Sequence, residues 1–248
     1  MLAGTVALRA TISTPHGKRH YVRQLFATIA DRYDLITRLL SYGQDRRWKA
    51  RAIALARLTP EDRVLDLACG TGDLMFEAAA RARSVVGVDL TFRMLQLAAL
   101  RRSSLEQARA ARCQMVTGDM GTLPVASRSF DVVTTGYGLR NVPDLAAAVD
   151  EIHRVLVPGG RLVSLDFDRP SNAIVRSAYW LYLTLVGSTL GLVLHRDADT
   201  YRYIPESIRN YPGAEKVAEL LRRRGFADVT VVPVLAGFMA IHVARKGR

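Results

Sequence analysis

The chain has 248 residues, 49% of them hydrophobic, so it is long and apolar enough to bury one full core and is not a disordered tail. Its 35 basic and 23 acidic residues leave a net charge of +12, which favours nucleic acid, an anionic membrane surface or an acidic ligand as partner. The basic residues are scattered, so charge alone does not decide among these partners.

Cysteine usage and apolar runs narrow the cellular setting. Cys69 and Cys113 stand at no metal-ligand spacing, which argues against a zinc site and against a disulfide framework. We therefore expect a reduced, cytosolic compartment, and no secretory signal in the first ten residues. Residues 177–194 contain no charged side chain and reach about the minimum length of a membrane span.

The N-terminal part is predicted to be helical after a loose basic leader that ends near Gly17. Residues 19–40 have the pattern of one or two amphipathic helices. Residues 46–58 have the pattern of another helix, in which Trp48 and Ile53 are the candidates for burial. A proline then ends this segment before the first strand.

From residue 60 onward, apolar strand patterns alternate with helical patterns. The predicted strands are 64–67, 85–88, 114–117, 130–135, 161–167, 229–234 and 238–244, and the predicted helices are 73 onward, 91–102, 145–156 and 214–224. This alternation predicts a parallel sheet with helices on both faces. An apolar helical insert at 172–194 interrupts it, and a short connection makes the last two strands an antiparallel pair.

The first strand runs directly into a Gly-x-Gly turn. Gly70 and Gly72 can adopt backbone conformations closed to other residues and let the main chain approach a ligand, and Asp73 can cap the next helix. Asp89 ends the second strand about 20 residues past the first glycine, where doubly wound folds bind ribose hydroxyls. These residues predict a nucleotide-like ligand.

The surroundings of this turn select among nucleotides. A nicotinamide-binding turn needs a third glycine where this chain has Met75, and no Gly-Lys-Ser/Thr run indicates a P-loop. S-adenosylmethionine fits the remaining pattern. Asp119 can accept from an adenine amino group and Met120 can cover the ring, although Asp119 capping a turn and Met120 in the core is the alternative. Asp66, at the end of the first strand, shares this edge of the sheet with them.

Several short runs carry a resemblance to a known family. They are DLACGTGDL at 66–74, FD at 130–131, GLRNV at 138–142, RVLVPGGRL at 154–162 and YRYIPESI at 201–208, with ADRYD at 30–34, SYG at 41–43 and WK at 48–49. Together they resemble the quinone C-methyltransferases that methylate demethylmenaquinol and 2-methoxy-6-polyprenyl-1,4-benzoquinol. The resemblance covers residues 26–243. Many methyltransferases share the first run, whereas GLRN and YRY are much more specific.

The resemblance implies a class I S-adenosylmethionine-dependent methyltransferase fold of the α/β class. Its sheet has seven mostly parallel strands with the last one antiparallel. Residues 1–59 are expected to form a helical segment on the substrate side, and residues 60–248 the methyltransferase domain, with a lid insert at about 172–212. No metal site is expected. The candidates for binding S-adenosylmethionine are Asp66, Gly70, Thr71, Gly72, Asp89, Asp119, Met120 and Gly136.

Four positions depart from the family pattern. Gly136 stands where serine is frequent, so it offers no side-chain contact to the cofactor, and Tyr137 replaces a phenylalanine. Thr37 replaces a common asparagine and Asp45 the usual histidine. These departures affect the substrate side more than the cofactor site.

The chemistry of carbon methylation points to a catalytic arginine. A hydroquinone ring is far more nucleophilic once a hydroxyl, with a pKa of about 10, has ionised. The enzyme must remove that proton or stabilise the phenolate, and positioning supplies much of the acceleration. Arg140 follows the fourth strand, and its fixed charge favours the ionised ring. The alternative is an ion pair with a carboxylate such as Asp144.

Four other side chains are weaker candidates for hydrogen bonding or proton transfer. Tyr201 and Asp168 are candidates for a proton relay. His153 and His195 have the ordinary pKa of a base. His153 lies within a helical run that favours a structural role, and His195 follows the apolar insert.

The insert has three interpretations: a membrane span, a core helix, or a lid of one or two helices bent near Gly187 or Gly191. We favour the lid, which would shelter the substrate, receive a polyprenyl tail and rest on an anionic bilayer. The residues expected to face a groove in part are Trp180, Tyr182, Leu183 and Leu185.

The expected partners are a polyprenyl quinol and the inner face of a membrane, with a homodimer left open. No nucleic acid is expected, because residues 135–138 lack the Asn/Asp-Pro-Pro-aromatic turn of amino-methylating enzymes and no basic-aromatic stripe is present. A methyltransferase for another lipid or small aromatic, and a non-catalytic membrane scaffold, are the alternatives.

Overall fold

A seven-stranded sheet forms the centre of the molecule. The computed structural model describes residues 8–170, 172–197 and 200–248. The strands are β1 (Arg63–Leu67), β2 (Ser84–Asp89), β3 (Cys113–Thr117), β4 (Phe130–Gly136), β5 (Leu156–Phe167), β6 (Phe226–Val234) and β7 (Met239–Lys246). Their order is β3-β2-β1-β4-β5-β7-β6. β1 to β5 are parallel, and β7 is antiparallel to both β5 and β6, as the sequence predicts.

Helices connect and cover these strands. They are α1 (Pro15–Ile29), α2 (Tyr33–Leu40), α3 (Asp45–Ala56), α4 (Asp73–Ala79), α5 (Phe92–Ser103), α6 (Gln107–Ala111), α7 (Leu145–Val155), α8 (Ala173–His195), α9 (Tyr203–Asn210) and α10 (Ala214–Arg223). Local capping fixes several starts. Thr14 accepts from the Gly17 amide at the start of α1, and Asp144 accepts from the Ala146 and Ala147 amides at the start of α7.

The register aligns the carboxyl ends of four strands. Leu67 at the end of β1 pairs with Val88 of β2 and Thr135 of β4, and Asp89 pairs with Thr117 of β3. The residues that follow these strands therefore meet at one edge, where open parallel sheets bind ligands. The sheet is buried on both faces. Val64 and Leu65, adjacent on β1, belong to two different core clusters.

One strand boundary differs because of a bulge. β5 begins at Leu156 rather than at residue 161, since Leu156 already pairs with Phe130 of β4. The ladder resumes at Val132 and Arg161, so the Pro-Gly-Gly segment loops out of the pairing. α6 and α9 are helices that the sequence patterns did not predict.

The start of the chain also differs from expectation. Residues 8–12 are helical, and Leu8 and Ile12 pack against Val22 of α1 and Tyr203 of α9. The prediction of a loose leader up to Gly17 is therefore wrong from residue 8, because Leu8 and Ile12, four residues apart, share one helix face. The leader's residues 1–7 lie outside the described residues.

The apolar insert forms one long helix. α8 has 23 residues without interruption, so the expected bend near Gly187 or Gly191 is wrong. Both glycines are buried, and a Cβ at Gly187 would stand 3.4 Å from the Tyr201 Cβ. Because Gly187 has no side chain, the segment that contains Tyr201 packs closely against α8. Among the described residues, α8 is the one helix long and apolar enough to cross a membrane, by length and composition.

Candidate active site

A narrow cavity lies at the carboxyl edge of β1 to β4. Five of the eight predicted cofactor residues line it, and two more line a small cavity beside it that shares Gly70, Gly136 and Tyr137. Residues of α1 cover the first cavity. The predicted residues on the first are Gly70, Asp89, Asp119, Met120 and Gly136, and the small cavity adds Asp66 and Thr71.

Asp89 is held by two backbone amides. Its Oδ2 accepts from the Gly70 amide at 2.8 Å and its Oδ1 from the Thr91 amide at 2.8 Å. Burial raises the pKa of Asp89, and these two hydrogen bonds oppose that shift. Each carboxylate oxygen keeps a further lone pair for a hydroxyl donor. The side chain therefore fits a vicinal diol such as that of ribose.

Asp66 presents a buried oxygen without a partner. Its Oδ1 accepts from the Thr134 hydroxyl at 2.7 Å, whereas Oδ2 has no hydrogen-bond partner among the described residues. Burial raises the pKa of Asp66 to about 7. An unpaired carboxylate oxygen beside a cavity suits a ligand's ammonium group, such as that of a methionine moiety. The residues present thus fit S-adenosylmethionine.

Thr71 and Gly72 shape the turn itself. The Thr71 hydroxyl donates to Asp34 Oδ1 at 2.7 Å and accepts from Arg101 Nη1 at 3.0 Å, which ties the turn to α2 and α5. Gly72 lines neither cavity. Its φ of +93° starts α4, and a Cβ there would stand 2.5 Å from the Phe76 ring, so its role is in backbone geometry.

Asp119 caps a turn, which is the alternative to an adenine contact, and it also lies on the cavity. Its Oδ1 accepts from the Gly121 amide at 2.8 Å, which stabilises a turn, and its Oδ2 pairs with Arg19 of α1 at 2.6 Å on the cavity. Lys18, next on α1, donates to the carbonyls of Arg140 and Val142 at 3.1 and 2.7 Å. The cavity measures about 90 Å³, so a nucleoside enters only if α1 and Arg19 move outward.

A second cavity of about 650 Å³ adjoins the first. That volume suits a drug-sized apolar ligand. Its walls come from α1, α2, α3, α8 and the segment from residue 201 to 204, and they are mainly apolar. Phe26, Tyr33 and Tyr137 line both cavities, so the two meet at these side chains.

Arg140 lies in the wall of the large cavity. Its Nη1 donates to Ser207 Oγ at 3.0 Å and to Asn141 Oδ1 at 2.9 Å, and its Nε lies 3.4 Å from Asp166 Oδ1. The guanidinium is stacked 5.0 Å from the centre of the Phe167 ring. Arg140 is only 7% exposed and does not pair with Asp144. It is therefore a buried cation facing an apolar cavity.

Tyr201 lines the same cavity and pairs with a histidine. Its hydroxyl lies 2.8 Å from His195 Nε2, and burial raises the pKa of Tyr201 to about 12. Burial lowers the pKa of His195. The two sequence candidates therefore act as one unit at the end of α8.

Asp168 and His153 line none of the three cavities. The Asp168 carboxylate accepts from the Ala214 amide at 3.0 Å, at the start of α10. His153 packs edge-on against Phe226, with ring centres 5.3 Å apart. The position of Asp168 gives no support to a proton relay, because its side chain turns to the helix.

The groove-facing residues of α8 were predicted in part. Tyr182 and Leu183 line the large cavity. Leu185 is exposed, and Trp180 stacks beneath Arg209 at 5.1 Å instead of lining it.

A buried polar network lies beside the junction of the cavities, and the sequence did not predict that its members contact one another. Tyr137 donates to Asp45 Oδ1 at 2.6 Å, and Lys49 Nζ lies 2.7 Å from Asp45 Oδ2 and 2.8 Å from Asp73 Oδ2. In the sequence, Asp45 and Tyr137 stood out only as departures from a family pattern. Their 92-residue separation hid the contact. Tyr203, with a buried hydroxyl lacking a partner among the described residues, was also missed.

A model of the ubiE/COQ5 methyltransferase family matches residues 15–246. The chain belongs to this family. A demethylmenaquinone methyltransferase from Roseiflexus sp. (strain RS-1) is 37% identical over 234 residues, which cover 94% of this chain and 96% of that relative. The ubiquinone/menaquinone biosynthesis C-methyltransferase UbiE of Methylococcus capsulatus is 37% identical over 234 residues, covering 93% of this chain and 94% of that relative.

The fold is shared with solved methyltransferases. A SAM-dependent methyltransferase from Thermotoga maritima matches with a TM-score of 0.65 at 19% identity, covering 91% of this chain and 99% of that one. The class I fold and the family predicted from the sequence are both confirmed. This member of the ubiE/COQ5 family is an enzyme that uses S-adenosylmethionine as its methyl donor.

Proposed function

We propose that the enzyme methylates a ring carbon of a polyprenyl quinol in respiratory quinone biosynthesis. The proposed substrate is demethylmenaquinol, with 2-methoxy-6-polyprenyl-1,4-benzoquinol as a second one. The observation that carries this proposal is an apolar cavity of about 650 Å³ that meets the sheet-edge cavity and has a buried arginine in its wall. The names of relatives that span nearly the whole chain support it.

The proposed cofactor site divides between the two smaller cavities. Asp89 would bind the ribose hydroxyls, and Asp119 and Met120 the adenine, after Arg19 has released Asp119. Asp66 and Thr71 line the small cavity, where the methionine part would lie against Gly70 and Gly136. Gly136 has little room for a side chain, because a Cβ there would stand 3.0 Å from Leu74 Cδ1.

Arg140 is the proposed catalytic residue. S-adenosylmethionine supplies an electrophilic methyl group on a sulfonium when bound. In a buried, apolar cavity, a fixed guanidinium charge lowers the free energy of a quinol phenolate and so makes the ring carbon more nucleophilic. Ser207, Asn141 and Asp166 hold this guanidinium in place. The Tyr201 hydroxyl, paired with His195, is a second polar group available to the ring.

The helical parts of the chain are proposed to form the substrate side. Residues between 25 and 48, in the N-terminal segment, and residues of 174–183 and 201–204, in the insert, supply most of the large cavity's walls. Tyr42, Ile174 and Leu235 line this cavity and are also exposed, so they mark an apolar opening. A polyprenyl tail would leave through it.

The same opening is proposed to rest on the inner face of an anionic membrane. The exposed residues of α8 continue the apolar surface of the opening, and the net charge of +12 favours anionic lipid. A helix lying on the bilayer agrees with the cavity-lining role of Tyr182 and Leu183 on its other side. The exposed apolar residues of α8 are Ile174, Val175, Leu181, Leu185, Leu192 and Val193.

A transfer assay tests this function. The purified chain would be incubated with labelled S-adenosylmethionine and, in parallel, demethylmenaquinol, the benzoquinol and an RNA. We expect label in a quinol and none in the RNA. Label in neither quinol, or label in the RNA, would contradict the proposed substrate.

A further inference from the structure

The large cavity has an anionic group as well as the cationic Arg140. Asp45, the first residue of α3, lines the cavity and is 6% exposed. Its two oxygens hold one donor each, the Tyr137 hydroxyl at 2.6 Å and Lys49 Nζ at 2.7 Å. Burial opposes the charge on Lys49, but Tyr33, Asp73 and Asp45 outweigh burial and hold the pKa of Lys49 above its ordinary value. Asp45 is thus fixed in position by a charged partner.

Two aromatic rings connect the anionic and cationic groups. The Tyr137 and Phe167 ring centres are 5.6 Å apart, and the Arg140 guanidinium lies 5.0 Å from the Phe167 ring centre. The wall therefore runs from a guanidinium, across two rings, to a carboxylate. A quinol has the corresponding groups, an aromatic ring for the aromatic wall and hydroxyls for the charged side chains.

The carboxylate distinguishes the two redox forms of such a ring. An ionised carboxylate only accepts hydrogen bonds. A quinol hydroxyl can donate to it, whereas a quinone carbonyl would place a second acceptor against it with no proton between them. A donor such as Arg140, in contrast, can hydrogen-bond to a hydroxyl oxygen or to a carbonyl oxygen. A site built to bind a hydroxyl strongly rejects an analogue that lacks it.

We propose that Asp45, held by Lys49 and Tyr137, makes the substrate cavity selective for the reduced quinol over the quinone. Only the quinol has a hydroxyl whose ionisation activates the ring carbon. The selectivity therefore keeps the form that cannot be methylated out of the site. The proposal rests on the proposed quinol substrate and assigns a specificity-determining contact within it.

The test compares the binding of both redox forms. The full chain, with S-adenosylhomocysteine present to prevent turnover, would be titrated without oxygen with demethylmenaquinol and with the matching quinone, each bearing one isoprene unit. Fluorescence of Trp48, which lines the cavity, or equilibrium dialysis gives the affinities. We expect the quinol to bind more tightly, and Asp45→Asn to lower the quinol-to-quinone affinity ratio about 10- to 100-fold.

Two further variants keep the test decisive. Tyr137→Phe leaves the carboxylate but removes one of the donors that hold it in place, and should lower the ratio about three- to tenfold. S-adenosylhomocysteine affinity is measured alongside, because Tyr137 also lines the cofactor cavity. Asp150→Asn, at an exposed ion pair with Arg224, should leave the ratio unchanged. A ratio unaltered in both Asp45→Asn and Tyr137→Phe overturns the proposal, as does an unaltered ratio in Tyr137→Phe if Asp45→Asn does not fold.

The proposed function and the proposed selectivity would fail in different ways. If the proposed function is wrong, the unmodified chain transfers no methyl group to any quinol. If only the selectivity is wrong, the unmodified chain methylates quinol, and its preference for the reduced form survives the Asp45→Asn change.

Discussion

The two adjoining cavities are built in opposite ways. The cofactor cavity is set largely by the ends of four strands and by backbone amides, as in the pair of hydrogen bonds that hold Asp89. The substrate cavity is set by side chains from helices far apart in the chain, and its polar groups are few. In the proposed function, a rigid sheet edge thus fixes where the methyl donor lies, while helices packed over it decide what receives the methyl group.

The largest expected effect separates the two cavities by their functions. Arg140→Ala should lower kcat about 100- to 1000-fold, because the phenolate loses the positive guanidinium that stabilises it in a water-poor cavity. The affinity for S-adenosylmethionine, measured by calorimetry, should stay within about threefold, since Arg140 does not line the cofactor cavity. A parallel loss of cofactor affinity would show that the two sites are not separate.

A substitution in the cofactor cavity should act first on cofactor affinity. Asp89→Ala should weaken S-adenosylmethionine binding about 10- to 100-fold, because the ribose hydroxyls lose a charged acceptor. Thermal unfolding and far-ultraviolet circular dichroism would verify that the fold survives the loss of contacts to Gly70 and Thr91. Unchanged affinity in a folded variant would remove Asp89 from the ribose role.

The third effect concerns the outer side of the substrate region. Leu185→Ser combined with Leu192→Ser should weaken binding to anionic vesicles about tenfold, since both side chains are exposed on α8 and neither lines a cavity. Turnover of a short-chain quinol in solution should not change. Leu100→Ser, at an exposed leucine of α5, is the matched control. Equal vesicle binding by all three proteins would exclude α8 as the contact.

The smallest effect tests the buried carboxylate of the cofactor cavity. The pKa of Asp66 is raised to about 7 in the folded chain and is about 3.9 when unfolded, so the folded state binds the extra proton between these values. Its contribution to stability is therefore lost as pH rises toward and through 7. The free energy of unfolding of Asp66→Asn, measured in urea, should rise relative to that of the unmodified chain by about 1 kcal/mol between pH 6 and 7.5. A constant difference would contradict the raised pKa.

The sequence predicted well which residues meet at the carboxyl edge of the sheet, because its signals there are local. Gly70 and Asp89 each follow a strand within a few residues, and parallel strands bring such positions together without further information. The same reasoning gave no useful result where a side chain has a competing partner in a distant segment. Asp168 also follows a strand, but it turns to the amide of Ala214 at the start of α10.

The substrate cavity could be predicted only as a set of candidate residues. Arg140 and Tyr201 were identified, but their surroundings come from distant segments, such as Ser207 beside Arg140. The contact of Asp45 with Tyr137 joins the first residue of α3 to the residue that follows β4. No sequence pattern within one element connects these two positions. These neighbours come from the packing of α3 against β4 and β5 and of α9 against residues 139–141, and hydrophobic periodicity does not encode which faces pair.

The position of the transferred methyl group tests most directly whether the two cavities act as one active site. The purified chain would be supplied with demethylmenaquinol and S-adenosylmethionine carrying a ¹³C-labelled methyl group, and the product examined by nuclear magnetic resonance and mass spectrometry. Labelled methyl bonded to a ring carbon is the predicted result. Labelled methyl on a hydroxyl oxygen, or no labelled quinol at all, would contradict carbon methylation in this cavity.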